Sequence, residues 1–367
     1  MRYYGNVEVG RDLSLDELCQ IYDAVVLAVG APLDRTLGIP GEDKRGVYGS
    51  AAFVGWYNGH PDFRDLDPDL DTEAVAVIGN GNVAIDCARV LVKTRAEMAA
   101  SDIPDYALEA IQRAPIADVY MFGRRGPVEA KFTNVELREF GDLENCTPVV
   151  DPGQLPDRVT GEMSDRDRRL REKNLATLRE FGAMTPDGKA KRVHFAFFAK
   201  PVEILGKDKV ERLRLERTRV VDGRAADTGE FFEVPCGLVI AAIGYYAEPV
   251  DGVPFDGRQG IVAHTDGRVA PGVYAVGWIK RGPTGVIGTN KPDGHAAAEQ
   301  ILADIETPSK PGREALEALL KAKGVRSVSY RDWQTIDRAE VAAAPPGAPR
   351  RKFARVAEML ALLDSAP

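Results

Sequence analysis

The stretch Val75–Arg89 reads Val-Ala-Val-Ile-Gly-Asn-Gly-Asn-Val-Ala-Ile-Asp-Cys-Ala-Arg, and it decides the fold class. Residues 75–78 are a short apolar run of the kind that forms a buried strand, and residues 82–94 carry helical periodicity. Gly79-x-Gly81-x-x-Ala84 joins the two. The first glycine permits a tight turn, the second lets backbone approach a pyrophosphate, and the small residue at 84 lets helix and strand pack closely. A helix opening at this point turns unpaired N–H groups and a partial positive charge toward the ligand. In this context the motif predicts nucleotide binding, against the alternative of a purely structural glycine turn.

Working outward, Val119-Tyr-Met-Phe122 reads as the next strand, and its end bears on which nucleotide is bound. A carboxylate there would suit the ribose hydroxyls of NAD. This chain has Gly123-Arg124-Arg125-Gly126 instead, and two guanidiniums suit the 2′-phosphate of NADP. A solvated basic pair is the other reading. The arginines lie further from the glycines than the usual ~20 residues, and a helix over 105–113 accounts for the extra length.

Toward the C-terminus, 273–291 runs Val-Tyr-Ala-Val-Gly-Trp-Ile-Lys-Arg-Gly-Pro-Thr-Gly-Val-Ile-Gly-Thr-Asn-Lys. Its apolar start predicts a buried strand, and Gly277, Gly282, Gly285 and Gly288 allow backbone to approach a planar or phosphorylated ligand beside Trp278. Lys280, Arg281 and Lys291 would face either that ligand or an acidic partner. Two further apolar runs, Ala24–Val29 and Leu238–Ile243, each end at a glycine and suggest two related α/β units. A strand is expected over 6–9, a helix over 14–22 capped by Ser14, and a polar helix over 163–182. Alternation over 193–221 predicts antiparallel strands. The acidic stretch 62–73 reads as a solvated loop, and 341–350 as a flexible linker before a last helix, 352–364.

With 367 residues the chain can build two domains. A net charge of −8 argues against a general nucleic-acid binder and confines any acidic partner to a local basic patch. The four cysteines (Cys19, Cys87, Cys146 and Cys236) form no CxxC pair, and the four histidines have no metal spacing. With no nucleophile elbow or Walker loop, the chemistry must belong to a cofactor. No apolar run reaches the ~18 residues of a membrane span, and 1–10 lacks the features of a signal peptide. The expected location is cytoplasmic.

Gly79–Arg89, Gly123–Pro127, Phe132–Glu139, Ala242–Tyr245 and Gly277–Asn290 together resemble adrenodoxin-reductase-like ferredoxin–NADP reductases. Tryptophan at 278, where the wider superfamily of two-dinucleotide-domain flavoproteins has aspartate, is similar to this subfamily in particular. The resemblance implies an α/β fold with two Rossmann-like, glutathione-reductase-type nucleotide-binding domains. Segments 1–31 and 246–367 would form an FAD-binding domain, with an NADP-binding domain, 32–245, inserted in it. It implies that FAD carries electrons between NADPH and a ferredoxin-type iron–sulfur protein. Asn80, Gly81, Asn82 and Val83 would contact the NADP pyrophosphate, Arg124 and Arg125 its 2′-phosphate, and Glu136 the same nucleotide. Trp278, Gly285, Val286 and Ile287 would line the flavin, and Val7 would lie near the adenine of FAD. Glu139 would be either an acid near hydride transfer or an exposed helix carboxylate. Family members begin with a βαβ unit whose own GxGxxG holds FAD, and residue 1 aligns after it, so the FAD domain is expected to be incomplete. An NADP-binding remnant without redox activity is the alternative reading. An incomplete domain should also leave an apolar strand edge unpaired.

Overall fold

Val75, Ala76 and Val77 are fully buried, and the strand that holds them, Ala74–Ile78, runs directly into the helix Asn82–Val92 across Gly79–Gly81. That strand lies third in a six-stranded parallel sheet. The order is Val47–Gly49, Leu238–Ala241, Ala74–Ile78, Asp118–Phe122, Lys191–Ala196, Cys146–Val150. Burial on both faces explains why the central strands read as continuous apolar runs. One face is covered by a cluster that includes Phe53, Ile85, Leu91, Ile111, Phe140 and Leu178, the other by Ile204, Leu213, Leu215 and Val239. The second cluster sits under a three-stranded antiparallel sheet, Ala199–Leu205, Arg212–Val221 and Arg224–Pro235.

The structure is a computed structural model that describes residues 1–185, 188–285 and 287–365. These fall into two compact units. Residues 34–243 with 340–359 form the unit just described; residues 1–33 and 244–339, with the chain from Leu360 onward, form the other. In the latter, Val25–Leu27 pairs in parallel with Val273–Ala275, which pairs in turn with Arg268–Ala270. Val25–Leu27 is therefore an edge strand among the described residues, and Val26 and Val29 are exposed. The first helix, Leu15–Ile21, has the expected Ser14 cap, strengthened by a reciprocal bond that the Ser14 N–H donates to the Glu17 carboxylate.

Four expectations need correction. The strand Lys191–Ala196 belongs to the parallel sheet, and only the strands after it are antiparallel. No strand forms over 6–9, because Asn6 takes a left-handed conformation (φ 55°) that breaks the extended run. The tail 340–359, read as part of the 246–367 segment, packs with the parallel-sheet unit. It is anchored there by Arg351, Lys352 and Arg355, which pair with Asp105, Asp102 and Asp65; within the tail itself, buried Glu340 accepts from Arg350 (3.0 Å) and from the Phe353 N–H (2.9 Å). The last helix accordingly starts only at Val356.

Candidate functional site

At the C-terminal edge of the parallel sheet, the helix Asn82–Val92 starts from Gly81 with no side chain capping it. Its first N–H groups are thus left for a ligand. A Cβ on Gly81 would meet nothing within 4 Å, whereas one on Gly79 would drive into the Ala242 carbonyl. Gly79 is there for packing, with φ 145°, and Gly81 for open access. This cradle of bare N–H groups fits a pyrophosphate.

The two asparagines between and after these glycines do structural work that the sequence did not reveal. The Asn80 carbonyl accepts from the Lys131 N–H (2.8 Å), and Asn82 Oδ1 accepts from the Thr133 N–H (2.8 Å). Both pin the segment 131–134 beside the helix N-terminus. Asn134 bonds to Thr177 and buried Asn174 to the Phe132 carbonyl, so the segment is held from its other side too. A Cβ on Gly123 would collide with the Asn80 amide, which brings the end of the neighbouring strand against the same turn. Val83 packs on the core of this unit.

Arg124 and Arg125 follow at that strand end. Arg124 is exposed and makes no side-chain hydrogen bond or ion pair among the described residues, while Arg125 reaches only the Gly223 carbonyl, at 3.4 Å. The sheet brings both to the same edge as Gly81, since Ile78 and Phe122 are register partners. Two guanidiniums left uncommitted beside an uncapped helix N-terminus fit a phosphate group.

Glu136 is committed elsewhere. Its carboxylate lies 3.0 Å from Arg89, which also holds Asp86 at 2.5 Å and Glu139 in a closer contact. Three carboxylates share one half-buried cation. Burial raises the Asp86 carboxyl above its ordinary range, against the pull of Arg89 and with the neighbouring glutamates adding to the rise. This cluster ties the nucleotide helix to the 134–142 segment, and Glu139 is bound within it rather than a solitary surface carboxylate.

In the other unit, Gly277 ends the buried strand with φ 69° and the single turn Trp278–Arg281 follows. Gly282 (φ 80°) and Gly285 (φ 83°) keep the next loop in the left-handed region that favours glycine. Trp278 stacks on Tyr245 (centroids 6.3 Å, planes 19° apart), and its indole N–H is buried with no partner among the described residues. An orphaned buried donor beside a bare glycine loop fits a ligand carrying an acceptor at the rim of a planar ring. Ile287 opens the long helix Ile287–Asp304, and Val286 lies outside the described residues. Val7 is packed with Leu13, Ile21, Leu316 and Leu320, a cluster separate from the one holding Trp278. Lys280 and Arg281 are both bound to Asp293 of the long helix. Among the described residues there is no His, Cys, Asp and Glu cluster fit for a metal, and no helix long and apolar enough to cross a membrane.

No protein-family model matches the chain. Individual proteins do. NADPH-ferredoxin reductase FprA of Mycobacterium tuberculosis (strain ATCC 25618 / H37Rv) is 43% identical over 376 residues, spanning 98% of this chain and 82% of that protein. Mitochondrial NADPH:adrenodoxin oxidoreductase of Homo sapiens is 41% identical over 384 residues, spanning 98% of this chain and 78% of the relative. The solved structure of Mycobacterium tuberculosis FprA in complex with NADPH superposes with a TM-score of 0.94 at 41% identity, over 99% of this chain and 84% of the other. Identity at this level across nearly the whole chain can be read in only one way: the chain belongs to the adrenodoxin-reductase-like NADPH–ferredoxin reductases.

Proposed function

We propose that this protein is an oxidoreductase that takes hydride from NADPH and passes electrons, through FAD, to a ferredoxin-type iron–sulfur protein. The observation that carries this reading is the 43% identity to a named NADPH-ferredoxin reductase across 98% of the chain. FAD, when bound, supplies the conversion between a two-electron donor and a one-electron acceptor, which no side chain can perform.

The chain's own residues bind and orient. In this reading 32–245, with the tail 340–359 that packs on it, is the NADP-binding domain, and 1–31 with the rest of 246–367 the FAD-binding domain. The free N–H groups at Gly81, Asn82 and Val83 receive the pyrophosphate, with Asn80 and Asn82 holding the adjoining segment in place. Arg124 and Arg125 take the 2′-phosphate, supported by the absence, among the described residues, of any competing carboxylate on either. Glu136, on the segment next to the nucleotide, is held by Arg89. Trp278, Gly285, Val286 and Ile287 line the flavin ring, and Val7 belongs to the adenine end. A cytoplasmic location completes the proposal, and cell fractionation checks it.

The test is a visible spectrum of the chain after loading with FAD and desalting, followed by NADPH. A retained flavin band that NADPH bleaches, and that a ferredoxin restores, is the expected result. Replacing Arg124 and Arg125 together by alanine should raise the KM for NADPH about 10- to 100-fold and leave NADH use nearly unchanged, as expected for loss of charge-assisted phosphate contacts. Equal loss with both nucleotides would overturn the assignment of the arginines. NADPH binding without flavin reduction would leave only a nucleotide-binding protein.

A further inference from the structure

The far end of the glycine loop after Trp278 has little packing of its own. Gly282 has open space around its Cβ position, and Thr284 and Gly285 are exposed. Besides local backbone bonds within 277–284, the side-chain contacts that tie the loop to the strand end and the long helix converge on one ion pair. The Asp293 carboxylate accepts from Arg281 Nη1 at 2.6 Å and from the Gly277 N–H at 3.1 Å, with Lys280 Nζ at 3.6 Å. The other arm of the same guanidinium, Nη2, donates to the Thr284 carbonyl at 3.2 Å and, more closely, to Asn290 Oδ1. One carboxylate and one guanidinium thus join the strand end at 277, the turn 278–281, the loop 282–284 and the first turns of the long helix. Both side chains are largely withdrawn from water: Asp293 is 16% exposed and Arg281 28%. Buried, forked contacts of this kind are harder to replace than a surface pair, because guanidinium geometry matches both partners at once.

From these contacts we infer that Arg281 and Asp293 are positioning residues, which hold the 277–285 backbone in its flavin-receiving shape before flavin arrives. Neither side chain needs to touch the ring. Their contribution is to remove the ordering that a free glycine loop would otherwise undergo on binding. The inference rests on the flavin site proposed above. It also takes both cations of the Lys280-Arg281 pair out of a partner-docking role, since they are spent on Asp293.

The experiment measures two things on the purified chain and on Arg281→Lys, Arg281→Gln and Asp293→Asn variants. The first is amide hydrogen exchange over 279–285 without flavin; the second is the dissociation constant for FAD from fluorescence titration. The expected result is faster exchange in all three variants and about tenfold weaker FAD binding for Arg281→Gln and Asp293→Asn. Arg281→Lys, which keeps charge on Asp293 but loses the fork, should fall between. The double variant should lose no more than the worse single one, because the two act as a unit. Asn290→Ala, which cuts only one arm of the fork, gives a milder probe should a charge change prevent folding, and it should speed exchange at 282–285.

Unchanged exchange in the variants overturns the inference, and so does faster exchange with FAD affinity intact. Both results leave the flavin reading standing. A wild-type chain whose loop is protected but which binds no FAD sinks the flavin reading itself, and this inference with it.

Discussion

Single residues in this protein do work set by burial more than by type. Cys87, Cys146 and Cys236 are buried, and burial pushes the Cys146 and Cys236 thiols up to about 12 and raises Cys87 as well. Thiolate is the reactive form, so a thiol-specific dye should label only half-buried Cys19 in the folded protein and all four cysteines in denaturant. Rapid labelling of a second thiol under native conditions would contradict the burial. Asp118 shows the opposite direction. A two-pronged bond from Arg192 (both arms 2.7 Å), then His194 at 2.6 Å, holds its carboxyl below the ordinary value of 3.8. A carboxyl lowered by folding stabilises the fold above its unfolded pKa, and that stabilisation is lost as pH falls through the lowered value. Asp118→Asn should therefore cost about 1–2 kcal/mol at pH 7. In urea unfolding the gap from wild type should begin to narrow below the ordinary value of 3.8 and close as pH falls through the lowered value, where the wild-type carboxyl also becomes neutral.

Elements were legible where their cause is local. The strand, glycine turn and helix at 74–92 could be read directly, because periodicity and the glycine spacing sit within one short window. The Ser14 cap was equally plain. The strand Lys191–Ala196 was misread as antiparallel because Val193 and Phe195 are buried while His194 and Ala196 are only half-covered. Being next to the sheet edge, it has one face on the helices and the other near water, and that gives the alternation of an antiparallel strand. The partners of the site were invisible for another reason. Arg89 finds Glu136 and Glu139 about fifty residues away, and nothing in the spacing announces a contact that only tertiary folding creates. Asn82 offers a test at this scale: Asn82→Ala frees the Thr133 N–H and should speed amide exchange over 131–134 while the helix Asn82–Val92 stays intact by the same measurement. Unaltered exchange would show that Asn134 and Asn174 suffice to hold the segment.

Across the whole molecule, the tail shows how exposed and buried charges divide one task. The pairs made by Arg351, Lys352 and Arg355 are at or near the surface, where each is worth little and salt screens it. Glu340, buried with Arg350 and the Phe353 N–H, is the contact that salt should not weaken. Raising salt to about 1 M, where screening acts over ~3 Å, should speed amide exchange near 351–355 and leave the Glu340 anchor in place. Glu340→Ala should loosen the fold of the tail at any salt and lower stability by about 1–2 kcal/mol, since it strands two part-buried donors. Salt-independent exchange along the tail would show that apolar contacts around Phe353 and Ala354 hold it instead.

The pairing of Val25 with Val273 also sets a timetable for making the protein. A ribosome adding ~5–20 residues per second needs on the order of ten to fifty seconds to travel from one to the other. During that interval the parallel-sheet unit has nearly all of its chain, from 34 to 243, and can close around its core. The strand Val25–Leu27 then still waits for Val273–Ala275 and trails from a finished neighbour as an apolar segment. Such a nascent chain is a natural client for a chaperone that shields hydrophobic stretches, and the time such a chaperone stays bound should track the arrival of residues 273–275 at the tunnel exit.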